Sequence, residues 1–121
     1  MKKIFLVYGH YNDSSFNAAI RDEFVKQSKA NGNQVDVVDL YKENFNPVFA
    51  GEEPDQEVLD HRKRIEESDT IVLIAPIWNF RMPAIVEGWI DKVLLFQHFK
   101  NNLIFSNHPS TVIKIINVFL N

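Results

Sequence analysis

Two stretches of the chain hold residue types whose spacing suits chemistry. In the first, His10, Ser14, Ser15 and Asn17 gather polar donors just after an apolar run and just before a helical pattern. Backbone N–H groups in the first turn of a helix lack intrahelical acceptors, and the helix dipole adds positive potential there. An anion is favoured at such a place, and phosphate fits this donor set. A plainer alternative stands beside it: Ser15 only caps the helix and His10 only bonds the turn. The chain has no GxGxxG and no GxxxxGK[ST] pattern. It is therefore not a standard dinucleotide-binding Rossmann domain or a P-loop nucleotidase.

The second stretch reads Pro76, Ile77, Trp78, Asn79, Phe80, Arg81, Met82, Pro83. Two aromatic residues in a loop beyond a buried strand suit a flat ring system, since such loops are ordinarily polar. The alternative is that Trp78 and Phe80 fold back onto the core or onto an oligomer interface. Other chemistries are poorly supplied. Cysteine is absent, which removes disulfides, thiolate catalysis and Cys-ligated zinc. His10, His61, His98 and His108 form no i, i+4 histidine pair, and no metal is expected. His61 sits in a charged helical stretch and reads as solvated. The acidic run over residues 51–55 reads as a solvated loop.

These stretches need elements to position them. Residues 4–8 and 71–75 are continuous apolar runs, the pattern of strands buried on both faces. Residues 35–38 make a second strand, and residues 111–120 a fourth. Between them lie helical patterns. The first starts at Ser14 or Ser15 with Phe16, Ala19, Ile20 and Phe24 on one face and ends near Gly32. The second covers 56–69 with Leu59 and Ile65 inward. The third begins at Pro83 and runs to about Phe99. Pro76 is expected to stop the third strand's ladder. Residues 42–56 form a long loop without clear period. Strands alternating with helices predict an α/β doubly wound parallel sheet in the order 2-1-3, with helices on both faces. In such sheets ligands bind beyond the carboxyl ends of the strands, which is where both stretches fall.

Composition sets bounds. The 121 residues suffice for one domain, 45% are hydrophobic, and the formal charge is −3. No basic run points to nucleic acid or an anionic membrane. The apolar start is too short for a membrane span or a signal segment, so a cytoplasmic location is expected. A response-regulator receiver shares the topology but needs acidic residues after strand one and an aspartate ending strand three. Tyr8, Gly9, His10 and Ala75, Pro76 stand there instead.

Three segments in order resemble the NAD(P)H:quinone oxidoreductase family of flavodoxin-like fold, with its potassium-efflux ancillary and azoreductase relatives. Gly9, His10 and Ser15, Phe16, Asn17 are similar to the family's flavin-phosphate loop. Asp39, Leu40, Tyr41 with Phe45, Asn46, Pro47, Val48 are similar to its Asp-Leu-Tyr…Phe-Asp-Pro-Val loop. Residues 76–80, with Met82, Pro83, Ala84 and Gly88, Trp89, Ile90, Asp91, resemble its flavin-ring loop and following helix. The resemblance implies that His10, Ser15, Phe16 and Asn17 hold the flavin phosphate or pyrophosphate. It implies that Pro76, Ile77, Trp78, Asn79 and Phe80 line the isoalloxazine ring. Asn79 matches the azoreductase loop, where quinone reductases have tryptophan, so the cofactor is FMN or FAD. NAD(P)H would be the electron donor and a quinone-like molecule the acceptor. A homodimer is implied, with the third helix and the aromatic loop near its interface.

The resemblance covers residues 1 to about 95. Residues 100–121 match no segment of the family, and the sheet is expected to hold three or four of the usual five strands in one domain. The part in which quinone reductases carry a proton-relay tyrosine and histidine has no counterpart, so no catalytic residue is assigned. Two functions follow from the resemblance: a flavin-dependent NAD(P)H oxidoreductase, or a non-catalytic ancillary member with weak or no flavin binding.

Overall fold

The computed structural model describes residues 1–94 and, as backbone, residues 112–118. The elements run β1 (Lys3–Tyr8), α1 (Phe16–Ala30), β2 (Gln34–Asp39), α2 (Gln56–Glu66), β3 (Thr70–Pro76), α3 (Ala84–Val93) and β4 (Val112–Val118). Among the described residues these four strands pair in parallel, in the order β2-β1-β3-β4. The expected neighbours β1 and β3 are in register from Ile4 opposite Thr70 to Tyr8 opposite Ile74. The third helix ends at Val93 with its C-cap at Leu94, short of the expected Phe99; the ends of the last strand and the divergent stretch from residue 100 fall largely outside the described residues.

Both faces of the central strands are covered, which is why their sequences are apolar throughout. Ile4, Leu6 and Tyr8 with Val72 and Ile74 pack on α1 through Ala18, Ile20, Phe24 and Val25. Phe5 and Val7 with Ile71, Leu73 and Ala75 pack on α2 and α3 through Val58, Ile65, Val86, Trp89 and Val93. Trp89 is wholly buried, its ring stacked 6.3 Å from that of Phe5. The indole is therefore part of the core.

Part of each expected inward face is borne out, Ile20 and Phe24 on α1 and Ile65 on α2, and part is not. On α1 the buried residues are Asn17, Ala18 and Ser28, while Phe16 is 62% exposed and Ala19 is also exposed. The Ser15 cap sets this phase: its Oγ accepts from the backbone N–H of Ala18 at 3.1 Å. On α2 the inward residues are Val58, His61, Arg62 and Ile65, and Leu59 is exposed. Spacing by three and four from Val58 defines that face, and Leu59 lies about 100° around it. His61, expected in solvent, is buried. Arg62 is buried because its guanidinium donates to the carbonyls of Lys92 (2.8 Å) and Val93 (3.3 Å), at the end of α3 where carbonyls need partners. Pro76 stops the ladder as expected, as the last residue of β3, opposite Val118. A terminal position tolerates a residue without an N–H.

The long loop after β2 is tied down. Asp39 Oδ1 accepts from the N–H groups of Tyr41 and Lys42, and Phe45 is buried with its N–H on the Leu40 carbonyl. Lys92 Nζ donates to the Asn46 carbonyl at 2.9 Å. Pro47 lies directly on Gly88 of α3: a Cβ there would come within 2.5 Å of Pro47 Cα and closer still to its carbonyl oxygen. Gly88→Ala should therefore force loop and helix apart and cost about 1–3 kcal/mol, read as a lower urea midpoint. Ser15→Ala should cost about 1 kcal/mol through loss of the α1 cap, by the same measurement.

Candidate functional site

The parallel β1–β3 pair carries its ladder one residue past the strand, with Gly9 N–H donating to the Ile74 carbonyl at 2.9 Å. Gly9 has no room for a side chain, since a Cβ would collide with Val86 Cγ2. The chain then turns in a hydrogen-bonded loop. His10 Nδ1 accepts from Asn12 N–H (2.9 Å), Asn12 Oδ1 accepts from Ser14 N–H (2.8 Å), and the Tyr8 hydroxyl donates to the Asn12 carbonyl (3.0 Å). The same hydroxyl lies 3.1 Å from Ser15 Oγ. Burial raises the Tyr8 phenol above its ordinary range, so it stays protonated as a donor. Asp13 joins Lys42 (2.6 Å) and Arg21 (3.2 Å), linking this loop to the next one and to α1. Those two cations hold its carboxyl below the usual range.

The loop after β3 is a tight two-residue reversal. Trp78 N–H donates to the Arg81 carbonyl at 2.7 Å and Arg81 N–H returns to Trp78 at 3.0 Å. Asn79 and Phe80 both have positive φ, 50° and 67°. This is the conformation that Asn and Gly adopt most readily and a phenylalanine rarely.

The two loops converge as expected, and through aromatic rings. Trp78 lies 5.9 Å from His10 and 6.0 Å from Tyr11 between ring centroids. Tyr11 stacks on His10 at 4.7 Å and meets Tyr41, from the loop after β2, at 6.4 Å. Three loops at the carboxyl ends of three adjacent strands thus share one aromatic cluster. Tyr11 and Tyr41 were absent from the sequence-derived site; each is the aromatic in the turn that follows a strand.

The remaining site residues divide. Ser15 is committed to the α1 cap. Asn17 is fully buried, and neither atom of its side-chain amide finds a hydrogen-bond partner among the described residues. Such orphaned groups are rare in folded proteins and cost about 1–3 kcal/mol each unless a ligand or water meets them. Pro76 is buried in β3, and Ile77 and Trp78 are half-buried. Phe80 is 100% exposed, Tyr11 64% and Phe16 62%. The structure brings His10 and Trp78 together, and leaves Phe16, Asn79 and Phe80 at the surface of the same end. An orphaned polar amide beside a helix start, an aromatic cluster and exposed rings fit a group with both a phosphate and a flat ring.

Residues 2–107 match the sequence model of the flavodoxin-like fold family. The uncharacterized NAD(P)H oxidoreductase YcaK of Escherichia coli (strain K12) is 36% identical over 102 residues, covering 76% of this chain and 52% of that protein. The chain spans about half the length of the curated relatives it matches. The NAD(P)H:quinone oxidoreductase of Methanothermobacter marburgensis superposes with a TM-score of 0.74 at 17% identity, over 96% of this chain and 84% of that one. An FMN-dependent NADH-azoreductase of Bacillus anthracis, solved with FMN, gives a TM-score of 0.60 at 14% identity, over 97% and 87%. At such identities the two structures speak for the fold alone. The parallel sheet with helices on both faces and the match over residues 2–107 agree, and the chain belongs to the flavodoxin-like fold family.

Proposed function

We propose that this chain binds a flavin, FMN or FAD, at the crevice beyond the carboxyl ends of β1 and β3 and works as an NAD(P)H oxidoreductase on quinone-like acceptors. The observation that carries this reading is the contact of Trp78 with His10 and Tyr11, which joins the phosphate-type loop to the aromatic loop. It lies where open parallel sheets place ligands. The name of the Escherichia coli relative, NAD(P)H oxidoreductase, supports the same class.

A bound flavin supplies hydride transfer between a nicotinamide and an acceptor. The protein's own part is to bind and orient. The start of α1, with His10, Ser15, Phe16 and Asn17, would hold the phosphate; the orphaned Asn17 amide offers both a donor and an acceptor. Pro76, Ile77, Trp78, Asn79 and Phe80 would line the ring. The Trp78 and Arg81 N–H groups are taken by each other's carbonyls, so the N–H groups of Asn79 and Phe80 would be the donors this turn offers to the ring. No helix of eighteen or more residues among those described is apolar enough to cross a membrane. A cytoplasmic place for the reaction is part of the proposal.

A homodimer belongs to the same reading. Tyr11, Phe16 and Phe80 expose aromatic surface at one end of the sheet, of the kind enriched in interfaces. Sedimentation should show association at high concentration, and a clean monomer would count against it. A second reading, an ancillary member without flavin chemistry, draws support from burial: His10 and Asn17 are already covered, so a ligand must open the loop to reach them.

Quenching of flavin fluorescence on titration with the protein separates the two. Wild type should saturate with FMN or FAD. Asn17→Ala should weaken binding by on the order of 1–3 kcal/mol, as loss of a bond to a charged acceptor does. Trp78→Ala should cost about as much through lost ring contact. Lys63→Ala, on the exposed side of α2, is the surface control and should change little. Absence of saturable binding by wild type would leave only the ancillary reading.

A further inference from the structure

His61 on α2 is a buried titratable ring that the crevice does not use. It packs between Phe5 of β1 (6.2 Å between centroids) and Phe45 (5.8 Å). Its Nδ1 accepts the indole N–H of Trp89 at 3.1 Å. An indole nitrogen only donates, so Nδ1 presents its lone pair and the neutral ring carries its proton on Nε2. Nε2 is buried without a hydrogen bond among the described residues and lies 3.5 Å from Glu43 Oε1. Glu57, one helical turn before His61, completes a trio whose ligand-type atoms lie within 4.8 Å of one another. Burial raises the Glu57 carboxyl above its usual range; the neighbouring His61 opposes this, and the charge of Glu43 adds to it.

The trio has the atom types for a divalent cation. A metal-bound imidazole, however, donates its other N–H to an acceptor. Here the other nitrogen faces a donor, and a cation on Nε2 would set two N–H groups against each other. The same conflict governs the proton. An imidazolium donates from both nitrogens and cannot accept from Trp89, while its charge suits the two carboxylates.

We propose that Trp89, His61, Glu43 and Glu57 form a pH-sensitive switch between α2, α3 and the loop after β2. The neutral His61 ring is the acceptor of Trp89; the protonated ring leaves the indole and pairs with Glu43 and Glu57. The charged groups around it are these two carboxylates, Asp55 at the α2 N-cap, and Lys92 of α3 over the Phe45 ring at 5.3 Å. Lys92 Nζ is held by the Asn46 carbonyl and lies 3.9 Å from Glu52, while β1 contributes only the uncharged Phe5.

The test is NMR of the indole N–H signals from pH 8 to pH 5, with Trp89 assigned by comparison with Trp78→Phe. In wild type the Trp89 signal should move through one transition. Its hydrogen exchange, corrected for the intrinsic rate, should quicken about tenfold, the factor for losing one buried hydrogen bond. His61→Gln keeps a carbonyl acceptor for the indole without a titrating charge, and Trp89 should stay protected throughout. Glu57→Gln removes one partner of the imidazolium and should move the wild-type transition to lower pH. A Trp89 signal that stays fixed in wild type, or that shows the same transition in His61→Gln, overturns the proposal. So does equimolar Zn²⁺ at neutral pH that shifts Trp89 in wild type and not in His61→Gln, since the trio would then be a metal site.

Discussion

The side-by-side parallel pairing of β1 and β3 is the constraint on which the rest depends. Parallel neighbours cannot be joined by a hairpin, so each connection must cross over a face of the sheet. The crossovers lay α1 on one face and α2 and α3 on the other, and bury alternate residues of the same strands in two separate cores. Because both strands run the same way, with β3 ending two residues beyond the level of Tyr8, their following loops emerge at the same end of the sheet. The contact of Trp78 with His10 and Tyr11 is a consequence of that register. Gly9 keeps it possible by letting α3 approach where a side chain would not fit.

What could be read in the sequence was whatever a single element decides for itself. The apolar runs of β1 and β3 announce strands covered on both sides, and Ser15 and Gly32 mark the ends of α1. The order of strands follows from alternation and handedness. The positions of His10, Trp78 and their loops at one end follow in turn.

What could not be read depends on partners far along the chain. Asp60, His61, Arg62, Lys63 and Arg64 form a run that looks solvated from end to end. Two of the five are buried, because another helix supplies what their polar atoms need: the Trp89 indole for His61 and the Lys92 and Val93 carbonyls for Arg62. Desolvation depresses the Arg62 guanidinium below its usual range, which is the cost of that placement. The roles of Tyr11 and Tyr41 are hidden in the sequence for a related reason. Their value lies in meeting each other across two loops, which spacing within either loop does not show.

The reversal at Asn79 and Phe80 has a consequence of another kind. A left-handed backbone costs an ordinary L-residue roughly 1–2 kcal/mol, and glycine almost nothing. Phe80 adds to that a phenyl ring given wholly to water. Neither feature helps the isolated chain to fold, and together they mark a position where folding alone would select glycine. The ring is thus a local cost to stability, carried at the tip of the loop after β3. Phe80 marks, at one residue, where this fold departs from what folding alone would select.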